Sequence, residues 1–303
     1  MDEYNERNAE HEFIKFYVLQ HFQDHVQNIE KLNGRSMSHH YKVCCSKDIY
    51  TFRFLSNHFA NINVCLMNQL SEKVICIQKV LDVVYLNNVE KVCIVSTWIS
   101  GVTANKFIND NPMKIDRVAY SIANTMHMLH DIKIQTPTRD DFFVSEFKPH
   151  MEYVFLNNMK QIPHLVSYLE ILKQNSDIKP FKEGVCHLDL HLGNIVIGKT
   201  LAAYLIDLEN IGISDIWRDF SFATTFYESN LEKTLWRSVL NYYFENNIPD
   251  DFWMHNFIYS IVKMLHMCFF EIGKGNYAFA SKISNDFFRI YNDLCDPIPI
   301  HFR

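Results

Sequence analysis

The stretch CHLDLHLGN at residues 186–194 runs directly into IVIGKTLAAYLIDLE at residues 195–209. In the second stretch, two short β-prone runs, residues 195–197 and 204–206, are separated by a small loop that contains Gly198. Two short strands joined by a glycine-containing loop are typical of a β-hairpin. The sequence therefore predicts one hairpin here, with polar residues concentrated on either side of it.

Three of these polar residues form a chemically specific set. Asp189 and Asn194 precede the hairpin and Asp207 follows it, so we expect the three side chains to converge at one end. Phosphoryl transfer from ATP needs a carboxylate that orients and deprotonates the attacking hydroxyl. It also needs oxygen ligands for Mg²⁺, because this hard cation prefers oxygen. Each Asp alone would be an ordinary loop acid, but the set at this spacing favours catalysis.

The pattern HxDxxxxN at residues 187–194, followed by IDxE at 206–209, resembles the aminoglycoside phosphotransferase and choline kinase family, small-molecule kinases with a protein-kinase-like fold. The resemblance implies that Asp189 is the catalytic base, in a loop that His187 helps to hold. It further implies Asn194 and Asp207 as Mg²⁺ ligands. Downstream, Asp219 matches an acidic position that we expect to tie the catalytic loop.

The same resemblance assigns nucleotide-binding residues in the first third of the chain. Residues 32–38 stand where a phosphate-covering loop belongs, and residues 95–98 resemble the hinge whose backbone receives the base. An arginine occupies the place of the phosphate-binding lysine on the third strand, and its forked geometry differs from a lysine point charge. No acidic partner for this arginine is evident on the helix that follows. The implied nucleotide-binding residues are Gly34, Ser36, Ser38, Arg53, Ser96 and Trp98.

The hydrophobic pattern divides the chain into a β-rich first part and a helical second part. Alternation is clearest at residues 50–54, where every second side chain is aromatic. Before Ser100 we predict helices at Asn8–Phe22 and Asn57–Leu70, with strands at Val26–Leu32, Tyr41–Cys45, Tyr50–Leu55, Lys79–Leu86 and Val92–Thr97. Beyond Thr103 we predict helices at Met113–Leu129, Phe147–Asn175, Leu231–Asn246, Phe252–Ile272 and Ala278–Leu294.

These patterns, with the resemblance, predict an α+β, two-lobed, protein-kinase-like fold. We expect a small, mainly antiparallel β N-terminal lobe at residues 1–99 that binds the nucleotide. A larger, mainly helical C-terminal lobe at residues 100–303 is expected to carry catalysis and the acceptor, with the nucleotide in the cleft between the lobes.

Composition excludes several classes of protein. A formal charge of −6 argues against nucleic-acid binding, which normally needs a basic surface. The N-terminal residues are too polar for a signal peptide, and no apolar run approaches the ~20 residues of a membrane-spanning helix. None of the eight cysteines forms a CxxC pair, so free thiols in a reducing compartment are expected. We therefore predict a cytoplasmic protein without membrane or nucleic-acid partners.

The acceptor is the least determined part of the sequence. By resemblance the cofactors are Mg²⁺ and ATP or GTP, and the acceptor is a small hydroxyl compound that can be cationic, so antibiotic resistance is one expected role. Aromatic residues Tyr227, Trp253 and Tyr277 would instead suit a quaternary ammonium such as choline. The candidate acceptor-binding residues are His191, Glu209, Glu228, Glu232 and Glu271.

Two other functions remain open at this point. A catalytically weak or inactive protein of the same fold could bind a nucleotide or ligand without transferring phosphate, as the absent acidic partner of Arg53 suggests. A metal hydrolase is the other alternative, because His187, Asp189 and His191 alternate and would share one face of an extended strand.

Overall fold

We analysed a computed structural model of the chain, which describes residues 3–32, 38–56, 64–73, 76–86, 90–133, 162–175, 178–227, 229–292, 294 and 296–302. The chain forms two compact units. The first comprises Met1–Gly101 and the short segment Tyr204–Asn210. The second comprises Val102–Ala203 and Ile211–Arg303.

In its described residues, the first unit is an antiparallel sheet with two α-helices. Helix α1 (Glu3–Tyr17) continues as a π-helical turn, Val18–Phe22. The strands are β1 (Val26–Leu32), β2 (His39–Cys45), β3 (Ile49–Ser56), β4 (Val80–Leu86) and β5 (Lys91–Thr97), and helix α2 (Val64–Lys73) lies between β3 and β4 in the chain. They pair in the order β1-β2-β3-β5-β4, with every pair antiparallel.

Alternation on β3 fixes which face of this sheet is the core. Phe52 and Phe54 are buried and pack with Ile14 and Tyr17 of α1. Successive side chains of a strand point to opposite faces, so Arg53 lies on the other face. The alternation of residues 50–54 therefore predicts both the core face and the face that carries the arginine.

The second unit is mainly helical. Its helices are α3 (Ala104–Asp110), α4 (Ile115–His130), α5 (Leu165–Gln174), α6 (Phe220–Ala223), α7 (Asn230–Tyr243), α8 (Asp250–Gly273) and α9 (Tyr277–Ile290). Its short strands are β6 (Val102–Thr103), β7 (Glu183–Cys186), β8 (Ile195–Ile197), β9 (Ala203–Leu205), which runs on into the first unit, and β10 (Gly212–Asp215). Strand β7 pairs with β10, and β6 pairs with β8, both antiparallel.

Helical spacing places the predicted apolar face of α4 in the core. Val118, Ile122, Met126 and Leu129 are all fully buried. A second apolar core joins α5, α8 and α9 through residues such as Tyr168, Ile261 and Phe287. Burial of these apolar faces, at roughly 25 cal/mol per Å², is the main contribution that holds the helices together.

The α+β architecture predicted from the sequence is confirmed, with an antiparallel sheet in the N-terminal region and helices in the C-terminal part. The strand predictions of the first unit agree with the structure within two residues. Two predicted helices, Asn57–Leu70 and Phe147–Asn175, are only partly described, as Val64–Lys73 and Leu165–Gln174, and their remaining residues lie outside the described ranges.

The sequence analysis missed the pairing of β7 with β10, strand β6 and helix α3. The two strands β7 and β10 are only four residues each, too short to show a period. They matter for the site because β7 leads into the 187–194 loop.

Six cysteines in the described part of the chain are free thiols, and five of them are buried. None of the described helices has the length and apolar character needed to cross a bilayer.

Candidate active site

A buried carboxylate holds the start of the 187–194 loop. Asp219 Oδ2 accepts the backbone N–H of His187 at 2.8 Å, and Oδ1 accepts that of Leu188 at 2.7 Å. Leu188 has φ +62°, a left-handed conformation that is uncommon for a residue with a branched, bulky side chain. Two charge-assisted hydrogen bonds offset this unfavourable backbone and turn the chain sharply after β7.

A histidine ties the same carboxylate to the helical core. His130, the last residue of α4, lies with Nε2 3.0 Å from Asp219 Oδ2 and Nδ1 2.7 Å from the Tyr243 hydroxyl. Burial alone would raise the pKa of Asp219, but the His130 hydrogen bond and the His187 contacts outweigh it, and the pKa is lowered. A Cβ atom at Gly184 would lie 2.8 Å from the His130 carbonyl oxygen, so glycine permits this close approach of β7 and α4.

Asp189 follows this anchored turn and is held by partners on both oxygens. Its Oδ1 accepts a hydrogen bond from Lys263 Nζ at 2.7 Å, and its Oδ2 lies 3.4 Å from Asn194 Nδ2. The Asn194 amide also donates to the Asp189 backbone carbonyl at 3.0 Å. The side chain of Asp189 is about one quarter exposed, at 27%. The carboxylate is therefore fixed in direction while remaining accessible.

These partners also set the charge of Asp189. Burial raises its pKa, but Lys263 and the nearby His191 and His187 lower it more, to about 2. Asp189 is consequently ionised throughout the neutral range. A carboxylate of such low basicity orients a hydroxyl and accepts its proton late, which suits a loose phosphoryl-transfer transition state.

The two histidines beside Asp189 serve the loop. His187 is fully buried, and its Nδ1 accepts the Asp189 N–H at 3.3 Å. His191 Nδ1 accepts the Gly193 N–H at 3.0 Å, and its Nε2 lies 4.0 Å from Asp189 Oδ2. A Cβ atom at position 193 would lie 2.8 Å from the His191 ring, so glycine lets the ring rest against the backbone.

This arrangement does not support the metal-hydrolase alternative. Across the described residues, the ligand atoms of His187, Asp189 and His191 are not among the groups that come close enough to share one ion. Each has a ring nitrogen or oxygen already engaged with the loop or with Lys263.

A second cluster lies in the first unit and centres on Arg53. Its Nη1 forms an ion pair with Asp207, its Nη2 donates to Glu209 Oε1 at 2.8 Å, and its Nε donates to Ser38 Oγ at 3.3 Å. The arginine side chain is only 8% exposed. An arginine can make these three contacts at once because its planar fork presents donors in several directions.

A short turn after β9 presents the two carboxylates. Asp207 has φ +66°, and Leu208–Asn210 form one 3₁₀ turn with Leu208 buried. The backbone upstream is fixed to the rest of this unit, since Leu205 exchanges hydrogen bonds with Cys76 and Gln78 at 2.9 and 2.8 Å. Because Asp207 has a left-handed backbone and Leu208 is anchored, Asp207 and Glu209 both reach Arg53.

The oxygen donors of both clusters have the chemistry that Mg²⁺ requires. Asp207 offers a partly exposed carboxylate, and Asn194 uses its amide nitrogen on Asp189, which leaves its amide oxygen for a cation. Both are hard ligands of the type that Mg²⁺ takes from proteins. Asp207 and Asn194 belong to different units.

The residues predicted to form the hinge, Ser96 and Trp98, make contacts within the first unit. Ser96 is buried, and its carbonyl accepts the Thr51 hydroxyl at 3.4 Å. Trp98 donates its backbone N–H to the Ile49 carbonyl at 3.1 Å. Lys42 Nζ lies 4.7 Å from the centre of the Trp98 ring. The structure therefore gives Trp98 a cation–π contact within the first unit.

The predicted acceptor-binding residues are dispersed. Glu209 lies in the Arg53 cluster, and His191 lies beside Asp189. Glu232 is buried in the first turn of α7, where the Ser229 hydroxyl caps the helix. Glu271 accepts a hydrogen bond from Asn276 at 2.9 Å near the end of α8. Gly34, Ser36 and Glu228 lie outside the described residues.

Two features of the site escaped the sequence analysis. Lys263 lies 74 residues beyond Asp189, in the middle of α8, and no local motif marks it. The acidic partner of Arg53 was sought on the helix after β3, whereas Glu209 comes from 156 residues away. The only available signal for Lys263 was that no other Lys, Arg, Asp or Glu lies between Phe252 and Phe270.

The chain matches the model of a known protein family. Residues 66–254 match the family model described as phosphotransferase enzyme family, APH. A comparison with curated protein sequences found no match.

Solved structures share the fold at low sequence identity. A thermostable mutant of aminoglycoside phosphotransferase APH(4)-Ia, in a ternary complex with AMP-PNP and hygromycin B, has a TM-score of 0.70 at 14% identity, covering 93% of this chain and 99% of that one. The GDP complex of wild-type aminoglycoside 2'-phosphotransferase-IIIa gives 0.67 at 15% identity, with 92% and 97% covered. A choline/ethanolamine kinase family protein from Mesorhizobium loti gives 0.65 at 13% identity, with 95% of both chains covered.

These likenesses show a kinase-like fold, and the family match spans well over half of the 303 residues. The chain is therefore a phosphotransferase enzyme and belongs to the phosphotransferase enzyme family.

Proposed function

We propose that this phosphotransferase is a small-molecule kinase that moves the γ-phosphate of ATP or GTP to a hydroxyl group, with Asp189 as the catalytic base. One observation carries the proposal. Asp189 is an accessible, ionised carboxylate in a loop that the buried Asp219 fixes, with Asn194 hydrogen-bonded to the same residue. A structural loop acid needs neither this anchoring nor this exposure.

In the proposed reaction, Asp189 orients the acceptor hydroxyl in line with the γ-phosphate and takes its proton as the bond to phosphorus forms. The bond between the γ-phosphorus and the β–γ bridging oxygen breaks in the same step, and the nucleoside diphosphate leaves. Lys263 keeps the carboxylate ionised and limits its rotation through the 2.7 Å contact. Positioning of this kind supplies much of the rate in a reaction with a loose transition state.

Asp207 and Asn194 are the proposed Mg²⁺ ligands, and Arg53 is the proposed phosphate-binding cation. Mg²⁺, when bound, would neutralise charge on the nucleotide phosphates. Arg53 adds a fixed positive charge that is already desolvated, so it can bind a phosphate oxygen without a large loss of hydration. The loop that contains Gly34, Ser36 and Ser38 is the proposed phosphate cover, and Ser96 and Trp98 mark the proposed base-binding strand end.

The proposed acceptor is an aminoglycoside-like compound or an amino alcohol. Two of the similar structures are aminoglycoside phosphotransferases, one of them in complex with hygromycin B, and a third belongs to the choline/ethanolamine kinase family. A catalytically weak or inactive nucleotide-binding protein is the alternative. The ionised, accessible Asp189 argues against it, because nucleotide binding alone does not need that residue.

The test is Mg²⁺-dependent nucleotide turnover with ATP and with GTP, measured against aminoglycosides, choline, ethanolamine and small sugars. We expect turnover that an acceptor stimulates and that Asp189→Ala abolishes. Asp286→Ala is the matched control, because Asp286 also pairs with a lysine but on the surface, at 2.6 Å from Lys282. Near-normal turnover in Asp189→Ala would contradict the assignment. Nucleotide binding without turnover on any acceptor would favour the inactive alternative.

A further inference from the structure

We infer that Glu209 is the positioning residue for Arg53, holding the guanidinium in place for the nucleotide phosphates. The inference rests on the proposed function, in which Arg53 is the phosphate-binding cation. It reassigns a residue that the sequence analysis had placed with the acceptor.

The geometry of the Arg53 side chain is the first argument. Arg53 lies on the central strand β3, with its side chain 8% exposed, and Glu209 Oε1 accepts its Nη2 at 2.8 Å. The Glu209 side chain is itself only 22% exposed. A largely buried guanidinium needs a carboxylate partner, because burying an uncompensated charge is strongly unfavourable.

The division of labour between the two carboxylates is the second argument. Among the described residues, Asp207 and Glu209 both form ion pairs with the one guanidinium of Arg53. Asp207 is the proposed Mg²⁺ ligand, and a carboxylate that gives its electrons to a divalent cation holds an arginine less strongly. Glu209 is the partner that keeps Arg53 in place when Asp207 is engaged elsewhere.

The histidine beside Arg53 on strand β2 adds no positive charge at neutral pH. His40 is its direct cross-strand neighbour on β2. Burial, with a smaller contribution from the Arg53 charge, lowers the pKa of His40 to about 3, so that imidazole is neutral at physiological pH. His40 therefore does not compete with the Arg53 guanidinium for the Asp207 and Glu209 carboxylates.

The turn that carries Glu209 makes it suitable for this task. Leu208 is buried, which fixes the 3₁₀ turn, and Glu209 is its direct neighbour. Arg53 Nε also reaches Ser38, at the end of the proposed phosphate-covering loop. Glu209 thereby sets the direction of a side chain that links strand β3 to that loop.

A double-mutant cycle on nucleotide affinity tests the inference without knowledge of the acceptor. The affinities of ATP, GTP and their nucleosides are measured by calorimetry with Mg²⁺ for wild type, Glu209→Gln, Arg53→Met and the double variant. Glu209→Asp keeps the charge on a shorter side chain. Glu30→Gln is the matched control, because Glu30 is an exposed glutamate on β1 of the same unit.

We expect Glu209→Gln to weaken triphosphate binding about tenfold, the loss typical of one charge-assisted hydrogen bond, and nucleoside binding less than about twofold. In the Arg53→Met background the same substitution should have no further effect. Glu209→Asp should recover part of the affinity. Thermal unfolding of each variant identifies any that fails to fold. If one fails, a second cycle built from Arg53→Lys, Glu209→Asp and their double variant replaces the first.

Three results would overturn the inference. Glu209→Gln could leave triphosphate affinity unchanged, lower triphosphate and nucleoside affinity equally, or keep its full effect when Arg53 is absent. The last result would mean that Glu209 acts on the metal or the ligand directly. If the wild-type protein binds neither ATP nor GTP, the proposed function itself fails, which is a separate outcome.

Discussion

The Asp189 cluster and the Arg53 cluster have opposite charge arrangements. At Asp189 one carboxylate faces a lysine at 2.7 Å and two nearby histidines. At Arg53 one guanidinium faces two carboxylates. The first arrangement holds an anion ionised, as a base requires. The second brings two carboxylates, the type of ligand that a divalent cation prefers, to one described guanidinium. We interpret the difference as a division between the acceptor side and the nucleotide side of one reaction.

The largest expected effect comes from removing the Asp189 carboxylate. Asp189→Asn keeps the shape of the side chain but cannot accept the hydroxyl proton, so kcat should fall about a thousandfold. Nucleotide affinity should change less than about twofold, because Arg53 and the proposed Mg²⁺ ligands Asn194 and Asp207 are left in place. Steady-state kinetics with the acceptor found in the screen measures kcat, and calorimetry measures nucleotide affinity.

Asp286→Asn is the control for this prediction, since Asp286 forms a comparable ion pair on the surface. A loss of nucleotide affinity in Asp189→Asn as large as the loss of kcat would break the proposed division between the clusters.

The second effect concerns the anchor beneath Asp189. Asp219→Asn places an amide opposite two backbone N–H donors and His130, and should lower the free energy of unfolding by about 2–4 kcal/mol. Because the folded pKa of Asp219 is lowered, its contribution is present above the unfolded pKa of about 4 and is lost as the pH falls below it. Urea denaturation at pH 7 measures the loss of the free energy of unfolding, and repeating it at lower pH measures how that loss depends on pH.

If the wild type and Asp219→Asn lost the same free energy of unfolding between pH 7 and pH 3, the carboxylate would not be the group that holds the turn. Asp131→Asn is a suitable control, because Asp131 is an exposed partner of Lys182 at 2.6 Å.

The third effect isolates the contribution of Lys263. Burial raises the pKa of Asp189, and the charge of Lys263 is the main cause that lowers it. Lys263→Met removes that charge, so the pKa of Asp189 should rise from about 2 to above its ordinary value near 3.9. Carbon-13 NMR titration of the Asp189 carboxyl measures this directly. Lys282→Met, which removes the surface partner of Asp286, is the control and should leave Asp189 unchanged.

A pKa of Asp189 that stays near 2 in Lys263→Met would show that the loop itself, rather than α8, keeps the carboxylate ionised.

The smallest effect is expected at Glu271. This residue was a candidate for acceptor binding, but it contacts Asn276 at 2.9 Å, at the end of α8. Glu271→Gln should change the acceptor KM less than about twofold. A tenfold rise in KM, with kcat unchanged, would return Glu271 to the acceptor site.

The contrast between the clusters also explains what the sequence could predict. Much of the Asp189 loop can be described by a spacing motif, because residues 187–194 form several hydrogen bonds with one another. Asp219, which holds the start of the loop, follows within the same stretch of sequence. The β-rich and helical halves were equally accessible, because alternation and helical spacing are local properties. Strands β7 and β10, of four residues each, were too short to show such a pattern.

The long-range partners could not be predicted in this way. Glu209 is 156 residues from Arg53, and Lys263 is 74 residues from Asp189. Their positions depend on how the turn after β9 and the helix α8 pack, which no local spacing encodes. For Arg53, the missing helix glutamate indicated a defect, whereas the structure supplies a carboxylate from the IDxE segment itself.

The most direct test of the proposed division is to compare Mg²⁺-dependent nucleotide binding and phosphoryl transfer in Asp189→Asn and Asp207→Asn. We expect Asp189→Asn to bind Mg²⁺-nucleotide normally and transfer no phosphate, and Asp207→Asn to lose the part of nucleotide affinity that depends on Mg²⁺. If both variants lost binding and transfer together, or if Asp189→Asn transferred phosphate at the wild-type rate, the assignment of the two clusters would be wrong.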